Sequence, residues 1–308
     1  MAKNLSKLRT IIQESLRVQR GSAEQVAYID SGNVLSDVCA RQNHVIFARR
    51  GCGKTLLLHY SARHLARGIH AVYLNCEDFK RHSFPNVLIE ILDALFAELE
   101  KNLSAWFGRK KRSKDLIQKI RKDLTKLKSK ADESGVSVKA TSSEELGRNA
   151  TTEAGSGVLK ALAGFSGKSR EEIEKVFQIK HSKLEDLDKW LPDLKRQIRE
   201  FFEISNSVSA IFLQIDDLYQ LRQEDQPFVV DYVHRLCKDI PLFFKIATLK
   251  HASILFVDRD GQPIGAQERH DFQPINIDYT FVDFRKTRDQ NRKILGPIYE
   301  LDPSPELG

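Results

Sequence analysis

The feature that most constrains this chain is an apolar run that leads through a glycine-rich turn into a helical pattern. Residues 44–48 (His-Val-Ile-Phe-Ala) are mainly apolar and β-branched, which predicts a buried strand. Residues 49–55 (Arg-Arg-Gly-Cys-Gly-Lys-Thr) follow at once, and a helix is predicted from Leu56 to Arg67, ended by Gly68. A strand joined to a helix through such a turn is the setting in which a phosphate-binding loop, or P-loop, forms.

The residue types in this turn suit a bound phosphate. Gly51 and Gly53 let successive backbone N–H groups converge on one phosphate, and the following helix adds the positive end of its dipole. Lys54 would reach the β- and γ-phosphates, and the Thr55 hydroxyl would ligate Mg²⁺. Ala48 stands where the usual pattern has glycine, and its methyl group is the smallest side chain that could intrude. The alternative is a glycine-rich turn that binds nothing. We disfavour it because Gly-x-Gly-Lys-Thr after a buried strand rarely arises otherwise. The predicted nucleotide-binding residues are Arg50, Gly51, Cys52, Gly53, Lys54, Thr55 and Leu56.

A second apolar run ends in two carboxylates. Residues 210–215 (Ala-Ile-Phe-Leu-Gln-Ile) predict a strand, and Asp216 and Asp217 follow it directly. Asp216 is expected to help hold Mg²⁺, and Asp217 to activate the attacking water. Asp217 is one methylene shorter than the glutamate that many ATPases carry, so hydrolysis is expected to be slow or to require closure of the site. The alternative is an ordinary turn after a strand.

Strands alternate with helical patterns along the rest of the chain. Further strands are predicted at 71–75, 243–247 and 273–277, and this alternation predicts an α/β fold in which a parallel sheet is sandwiched by helices, as in P-loop NTPases. We divide the sequence into four segments. They are 1–104, an N-terminal helix and the first part of the core; 105–204, a basic helical insertion with a flexible Ser/Gly/Thr-rich loop; 205–282, the second part of the core; and 283–308, a C-terminal helix and tail.

Two amphipathic patterns in the insertion predict a pair of helices that pack as an antiparallel hairpin. Leu116, Ile120, Leu124 and Leu127 mark the first helix, and leucines spaced by threes and fours over 184–201 mark the second. The stretch 134–167 between them has little periodicity and is expected to be a mobile loop or a weakly ordered insertion. Pro192 is expected either to divide the second helix or to lie in the first turn of a new one.

The positive charge of the chain is concentrated in this insertion. The formal net charge is +7, and residues 109–130 alone carry +9, so the rest of the chain is slightly acidic. One interpretation is that the basic helix binds nucleic-acid phosphates without sequence preference, with Trp106 and Phe107 stacking on bases. The other, which we favour, is a solvated face paired with acidic residues of the second helix. Those residues are Glu185, Asp186 and Asp188.

Together, residues 49–55, 211–217 and 245–250 (Lys-Ile-Ala-Thr-Leu-Lys) resemble the core of an AAA+ or allied ATPase, of the origin-recognition-like or STAND-type groups. The resemblance implies that Thr248 reads the γ-phosphate at the end of its strand; the alternative is an ordinary strand-end threonine. It also implies that Arg269 acts as an arginine finger in the site of a neighbouring subunit; the alternative is a solvated loop arginine. The helical lid of that family is expected to be truncated or absent, because few residues follow the last predicted strand.

Three functions are compatible with these residues. The leading hypothesis is an ATP-hydrolysing switch that assembles as a homo-oligomer or with a partner ATPase, uses Mg²⁺, and controls a partner or DNA contact. The resemblance makes bacterial defence and mobile elements plausible settings for it. The alternatives are a nucleotide-binding scaffold with negligible turnover, and a DNA-binding module with incidental ATPase activity.

We expect a cytoplasmic protein without a membrane span. The four cysteines are scattered, the N-terminus does not resemble a signal peptide, and the sequence lacks a long apolar stretch.

Overall fold

The computed structural model describes residues 28, 30, 34–107, 111–132, 170–205, 207–259, 261–277 and 288. The predicted N-terminal helix, the predicted loop 134–167 and all of 283–308 except residue 288 lie outside the described residues. The strands are β1 (His44–Phe47), β2 (Ile69–Asn75), β3 (Ala210–Asp216), β4 (Leu242–Thr248), β5 (Phe256–Arg259), β6 (Gln262–Gly265) and β7 (Gln273–Asn276). The α-helices are α1 (Val34–Val38), α2 (Lys54–Arg63), α3 (Asn86–Phe107), α4 (Lys111–Asp132), α5 (Arg170–Ile204) and α6 (Gln226–Cys237). Three short 3₁₀ helices lie at Cys76–Phe79, Leu218–Gln220 and Lys250–Ala252.

Five of the strands form one parallel sheet in the order β2-β3-β4-β1-β7. Phe47 pairs with Thr248 and Asn75 pairs with Asp216, so the carboxyl ends of four strands meet at one edge. Ligands of open α/β sheets bind at this edge. Strands β5 and β6 form a separate antiparallel hairpin that packs on α6. The predicted α/β fold, a parallel sheet flanked by helices, is confirmed.

Side chains that alternate along each strand build a core on both faces of the sheet. On one face Ile46 and Ala247 pack with Leu57 and Leu58 of α2. On the other face a larger apolar cluster joins the sheet to α3, α4, α5 and α6. Helix α2 ends at Arg63, four residues before its predicted end, where the backbone N–H of His64 donates to the Ser61 carbonyl and tightens the last turn.

Helices α4 and α5 pack antiparallel, as the hairpin prediction requires. Arg112 of α4 pairs with Glu200 of α5 at 3.0 Å, while Lys128 near the other end of α4 accepts a bond from Lys183 at its carbonyl. Helix α3 lies alongside α4 as well and supplies carboxylates that were not predicted, whereas the predicted acidic residue Asp188 pairs with Arg235 of α6 at 2.9 Å. The side chains of Arg121 and Lys128 pair with α3, as Arg121–Asp93 (3.2 Å), Arg121–Glu100 (2.8 Å) and Lys128–Glu90 (2.7 Å).

The described part of the insertion shares its core with the sheet. An apolar cavity of about 20 Å³ lies where the helices meet the strands, and Ile117 of α4 and Ile198 of α5 line it together with Val72, Leu213 and Leu242 of the sheet. Helix α3 also runs through residue 104 without a break. The change of composition at 105 is therefore not a change of hydrophobic core.

Pro192 lies inside a continuous helix, so the prediction that it divides the helix or begins a new one was wrong. Leu187, Leu191 and Leu194 are buried on both sides of it, whereas Pro192 itself is exposed. Burial of this seam offsets the hydrogen bond that proline cannot donate.

Among the described residues, no helix is both long and apolar enough to span a bilayer.

Lys245 is a fully buried lysine on β4 that ties the sheet to the turn after α1. Its Nζ donates to the carbonyls of Ala40 (2.6 Å) and Gln42 (2.8 Å), lies 2.8 Å from His44 Nδ1, and stands 4.3 Å from the centre of the Phe212 ring. Burial lowers the pKa of Lys245 to about 7. Burial and the charge of Lys245 lower the pKa of His44 to about 3.

We expect the Lys245→Met variant to lose a pH dependence of stability that the wild type has between pH 7 and 9. In that range an unfolded chain keeps Lys245 protonated whereas the folded chain releases the proton, so the free energy of unfolding rises with pH. The slope should fall by up to about 1.4 kcal/mol per pH unit. Urea denaturation at pH 7, 8 and 9 measures it, with the exposed Lys250→Met as control. An unchanged slope in Lys245→Met would show that the folded lysine stays charged.

Candidate functional site

The turn between β1 and α2, where the sequence predicts a P-loop, contains two glycines in an unusual backbone conformation. Gly51 and Gly53 adopt φ angles of +81° and +84°, a left-handed conformation that L side chains rarely adopt. A Cβ at either position would meet no atom within 4 Å, so the backbone angle rather than crowding requires glycine here. Gly53 stands immediately before α2, whose first N–H groups have no partner within the helix.

Lys54 lies inside this loop. Its side chain is buried, and Nζ donates to the carbonyl oxygens of Ala48 and Arg49, each at 3.0 Å. The loop therefore holds its cation close to its own backbone. A lysine ammonium group beside the N-terminus of a helix provides the positive environment that an anionic ligand needs.

The carboxylate of Asp216 connects the P-loop with the neighbouring strands. Asp216 is fully buried; its Oδ2 accepts bonds from Thr55 Oγ1 at 2.7 Å and from the Tyr73 hydroxyl at 2.9 Å. Its Oδ1 accepts the backbone N–H of Asp217 at 2.9 Å. Thr55 and Asp216 thus place two hard oxygen atoms side by side, the type of atom that Mg²⁺ prefers. In the described part of the chain no three His, Cys, Asp or Glu side chains gather as a metal cluster, and Mg²⁺ commonly takes only one or two protein ligands beside phosphate oxygens.

Asp217 follows at the end of β3 in a left-handed conformation, with φ 54° and ψ 41°. Its side chain is half-buried. Burial and the charge of Asp216 raise the pKa of Asp217, while the charge of Lys54 and a hydrogen bond from Asn75 oppose that shift. A carboxyl group with a raised pKa is a better proton acceptor once it is ionised.

Thr248 ends β4 beside the P-loop. It is fully buried, and its carbonyl accepts the backbone N–H of Ala48 at 3.4 Å. Its hydroxyl shares a hydrogen bond with the hydroxyl of Ser253, in which either oxygen can donate. The structure therefore brings Thr248 to the same edge of the sheet as Asp216.

Arg269 lies at the opposite end of the strands, where β1 and β7 begin. It is exposed in a turn, with φ 67°, and its backbone N–H donates to the Phe272 carbonyl at 2.8 Å. The turn leads into Gln273, which pairs with His44 at the beginning of β1. Arg269 is therefore remote from the P-loop of its own chain, and a role in a neighbouring subunit stays a prediction.

The remaining predicted P-loop residues occupy different surroundings. The guanidinium of Arg50 stands 5.1 Å from the centre of the Tyr219 ring, and Arg50 itself is exposed. Cys52 is partly buried and packs against the apolar cluster beneath α2, while Leu56 is partly buried in the first turn of α2.

Sequence reasoning missed four residues that line this edge. Asn75 ends β2, and Tyr73 lies two residues before it. Tyr219 follows the two aspartates, and the Ser253 hydroxyl shares a hydrogen bond with Thr248. Tyr73 and Asn75 could have been found, because polar residues at the carboxyl end of a parallel strand face the ligand edge. The site consequently gathers side chains from β2, β3, β4, the first turn of α2 and the neighbouring loops.

No protein-family model matches this sequence, and no curated protein matches it.

Proposed function

We propose that this chain binds ATP with Mg²⁺ and hydrolyses it, acting as an AAA+-like switch. The observation that carries the proposal is the 2.7 Å bond from Thr55 Oγ1 to Asp216 Oδ2. It joins a P-loop residue to a carboxylate 161 positions away in sequence, on a strand that is not adjacent to β1. Two separately predicted motifs thus meet at one pair of oxygen atoms, and this meeting supports the proposed magnesium site. An adenine base is proposed because the sequence lacks the Asn-Lys-x-Asp string typical of GTPases.

The chain divides the binding work among a few groups. The N–H groups around Gly51 and Gly53, with the N-terminus of α2, would hold the phosphates, and Lys54 would neutralise the β- and γ-phosphate oxygens. Thr55 and Asp216 would hold Mg²⁺, which supplies charge neutralisation for the phosphate oxygens when it is bound. Because Thr55 gives its hydrogen to Asp216, its oxygen lone pairs stay available to a cation.

Asp217 is the proposed base that orients the attacking water. It lies next to the magnesium ligand and experiences the charge of Lys54, which favours its ionised form. Thr248 would contact the γ-phosphate by turning its hydroxyl away from Ser253. The scaffold alternative, with negligible turnover, predicts nucleotide binding without any role for Asp217.

We expect Asp217→Asn to slow hydrolysis by about 10²–10⁴-fold while the affinity for ATP changes little, because only the transition state needs the base. In the wild type, turnover should fall as the pH drops through the raised pKa of Asp217, which lies above the ordinary value of 3.8. Phosphate release and nucleotide binding are measured together. Asp239→Asn is a matched control, since Asp239 is exposed and also has a positive φ of 65°. Equal turnover in wild type and Asp217→Asn would exclude Asp217 as the base, and nucleotide binding with negligible turnover in the wild type would favour the scaffold.

Nucleotide-dependent assembly is the proposed output of the switch. Arg269 is exposed at the edge of the sheet opposite the P-loop, where another copy of the chain or a partner ATPase is free to meet it. An arginine supplied from a neighbour would stabilise charge on the phosphoryl group only in the assembly. Hydrolysis would then depend on protein concentration.

A second candidate function, non-specific binding to nucleic acid, is favoured by the solvent face of α4. Lys111, Lys119 and Lys122 are exposed there, and none of them forms a hydrogen bond or ion pair with the described residues. Lys126 on the same face pairs with Asp123 at 3.1 Å. Unpaired lysines on one helix face can neutralise phosphates and release their counterions.

We expect the triple variant Lys111→Glu, Lys119→Glu and Lys122→Glu to bind DNA more weakly. The slope of log affinity against log salt concentration should also become shallower, by the amount that corresponds to about three phosphate contacts. Fluorescence anisotropy with a labelled duplex at 50 to 200 mM salt measures both. The control reverses Lys101, Lys189 and Lys238, which are exposed on other helices or loops and change the net charge equally. Unchanged affinity at low salt in the α4 variant would remove this function.

A further inference from the structure

We infer that Tyr73 is a positioning residue that holds the Asp216 carboxylate in place for the metal ion. This inference rests on the proposed function, since it concerns the same magnesium site. The Tyr73 hydroxyl donates to Oδ2 of Asp216 at 2.9 Å, the oxygen that also accepts the Thr55 hydroxyl at 2.7 Å. Tyr73 itself lies on β2, one strand further from the P-loop than β3.

Three donors fix the orientation of this carboxylate. Tyr73 and Thr55 hold Oδ2, and the backbone N–H of Asp217 holds Oδ1. The N–H of Asp217 fixes only one end, and the Thr55 hydroxyl belongs to a residue that must also serve the metal. Tyr73 approaches from the strand beside β3 and is not among the proposed metal ligands. It is therefore the side-chain donor whose bond to Asp216 can persist whether or not the metal is present.

Tyr73 is suited to this role by its own surroundings. Its ring packs against His59 of α2 with centroids 4.3 Å apart, and its backbone pairs with Gln214 of β3. The ring contact and the strand pairing fix the side chain, so the hydroxyl is held within hydrogen-bonding distance of Asp216.

The alternative is that the Tyr73 hydroxyl contributes only to folding. In that case its removal would lower stability and leave the metal requirement unchanged. Loss of a hydrogen bond to a charged group that must be held for the metal should instead raise the Mg²⁺ concentration needed for half-maximal nucleotide binding, by about tenfold. Affinity for nucleotide without metal should stay the same, because Lys54 and the loop N–H groups do not involve Tyr73.

The test compares Tyr73→Phe with the wild type in binding of a fluorescent ATP analogue, first in EDTA and then across a Mg²⁺ titration. Phenylalanine removes one oxygen and keeps the ring against His59. Tyr60→Phe is the matched control, because Tyr60 is a partly buried tyrosine on α2 that stacks on His64 with ring centroids 4.1 Å apart. Thermal unfolding of each variant shows whether the fold is kept.

The inference predicts a rise of about tenfold in the half-saturating Mg²⁺ concentration for Tyr73→Phe alone, with equal binding in EDTA. An unchanged Mg²⁺ requirement, or an equal loss of binding with and without metal, would overturn it while leaving ATP binding established. Absence of analogue binding in the wild type itself would overturn the proposed function and this inference with it. A Tyr73→Phe variant that fails to fold would assign the hydroxyl a structural role and likewise contradict the inference.

Discussion

Replacing Lys54 with alanine is expected to lower the rate of ATP hydrolysis by about 10²–10³-fold. In the folded chain Nζ is buried within the P-loop and is held by two backbone carbonyls. Alanine removes this cation and leaves the Ala48 and Arg49 carbonyl oxygens, which carry partial negative charge, without the Nζ donor. The remaining N–H groups would then hold an anion against this negative potential.

Phosphate release measured at saturating Mg²⁺ and ATP tests this expectation. Lys80→Ala is the control, since Lys80 is exposed at the same edge and pairs with Glu77 at 3.4 Å. Circular dichroism and the unfolding midpoint confirm that each variant is folded. A Lys54→Ala variant that hydrolyses ATP as fast as the wild type would mean that the activity resides elsewhere or in a contaminant.

The Asp216→Asn variant should retain its fold and lose metal-dependent hydrolysis by about a hundredfold or more. Asparagine has nearly the same shape, and the Thr55 and Tyr73 hydroxyls can each rotate to accept a bond from its amide nitrogen. The amide oxygen can still accept the Asp217 N–H. Rotation would, however, use the lone pair of Thr55 that the metal needs, and the negative charge of residue 216 would be gone.

The measurement for Asp216→Asn is the Mg²⁺ dependence of both nucleotide binding and turnover. Binding in EDTA should match the wild type, while added Mg²⁺ should no longer strengthen it. Asp225→Asn serves as a control for neutralising a buried aspartate, because Asp225 accepts the Phe84 N–H at 3.1 Å. Wild-type metal dependence in Asp216→Asn would exclude Asp216 as a magnesium ligand.

The elements that local sequence determines were predictable, and those that depend on distant contacts were not. The P-loop glycines and the strand ending at Asp216 follow from patterns a few residues long, and their backbone geometry agrees with those patterns. The amphipathic spacing of Leu116, Ile120 and Leu124 also predicted the buried face of α4.

Tertiary packing explains the failures. A proline ordinarily ends a helix, but the seam around Pro192 is buried against α4 and the sheet, and the helix continues. The pairing of α4 with Glu90, Asp93 and Glu100 was not predicted, because only the folded chain places α3 alongside α4. The second helix also supplies a carboxylate, since Glu200 pairs with Arg112. Charge patterns alone do not specify which helix is the neighbour.

The site was likewise predicted in part. The sequence indicated candidate residues for the chemistry, since a P-loop pattern and a strand-end carboxylate are recognisable by type and context, and the structure brings Thr55 and Asp216 together. The local sequence marks Tyr73, which we propose holds Asp216 in place, only as a polar residue near the carboxyl end of a strand. Only the strand order, which sets β2 beside β3, brings the Tyr73 hydroxyl to Asp216.

The most direct test of the account is calorimetric titration of the purified chain with ATP, in the presence and absence of Mg²⁺. The account predicts one site per chain, tighter binding with Mg²⁺ than with EDTA, and loss of that binding in Lys54→Ala. No binding by the wild type, or binding that Lys54→Ala leaves unchanged, would contradict the assignment of residues 49–55 as a nucleotide-binding P-loop.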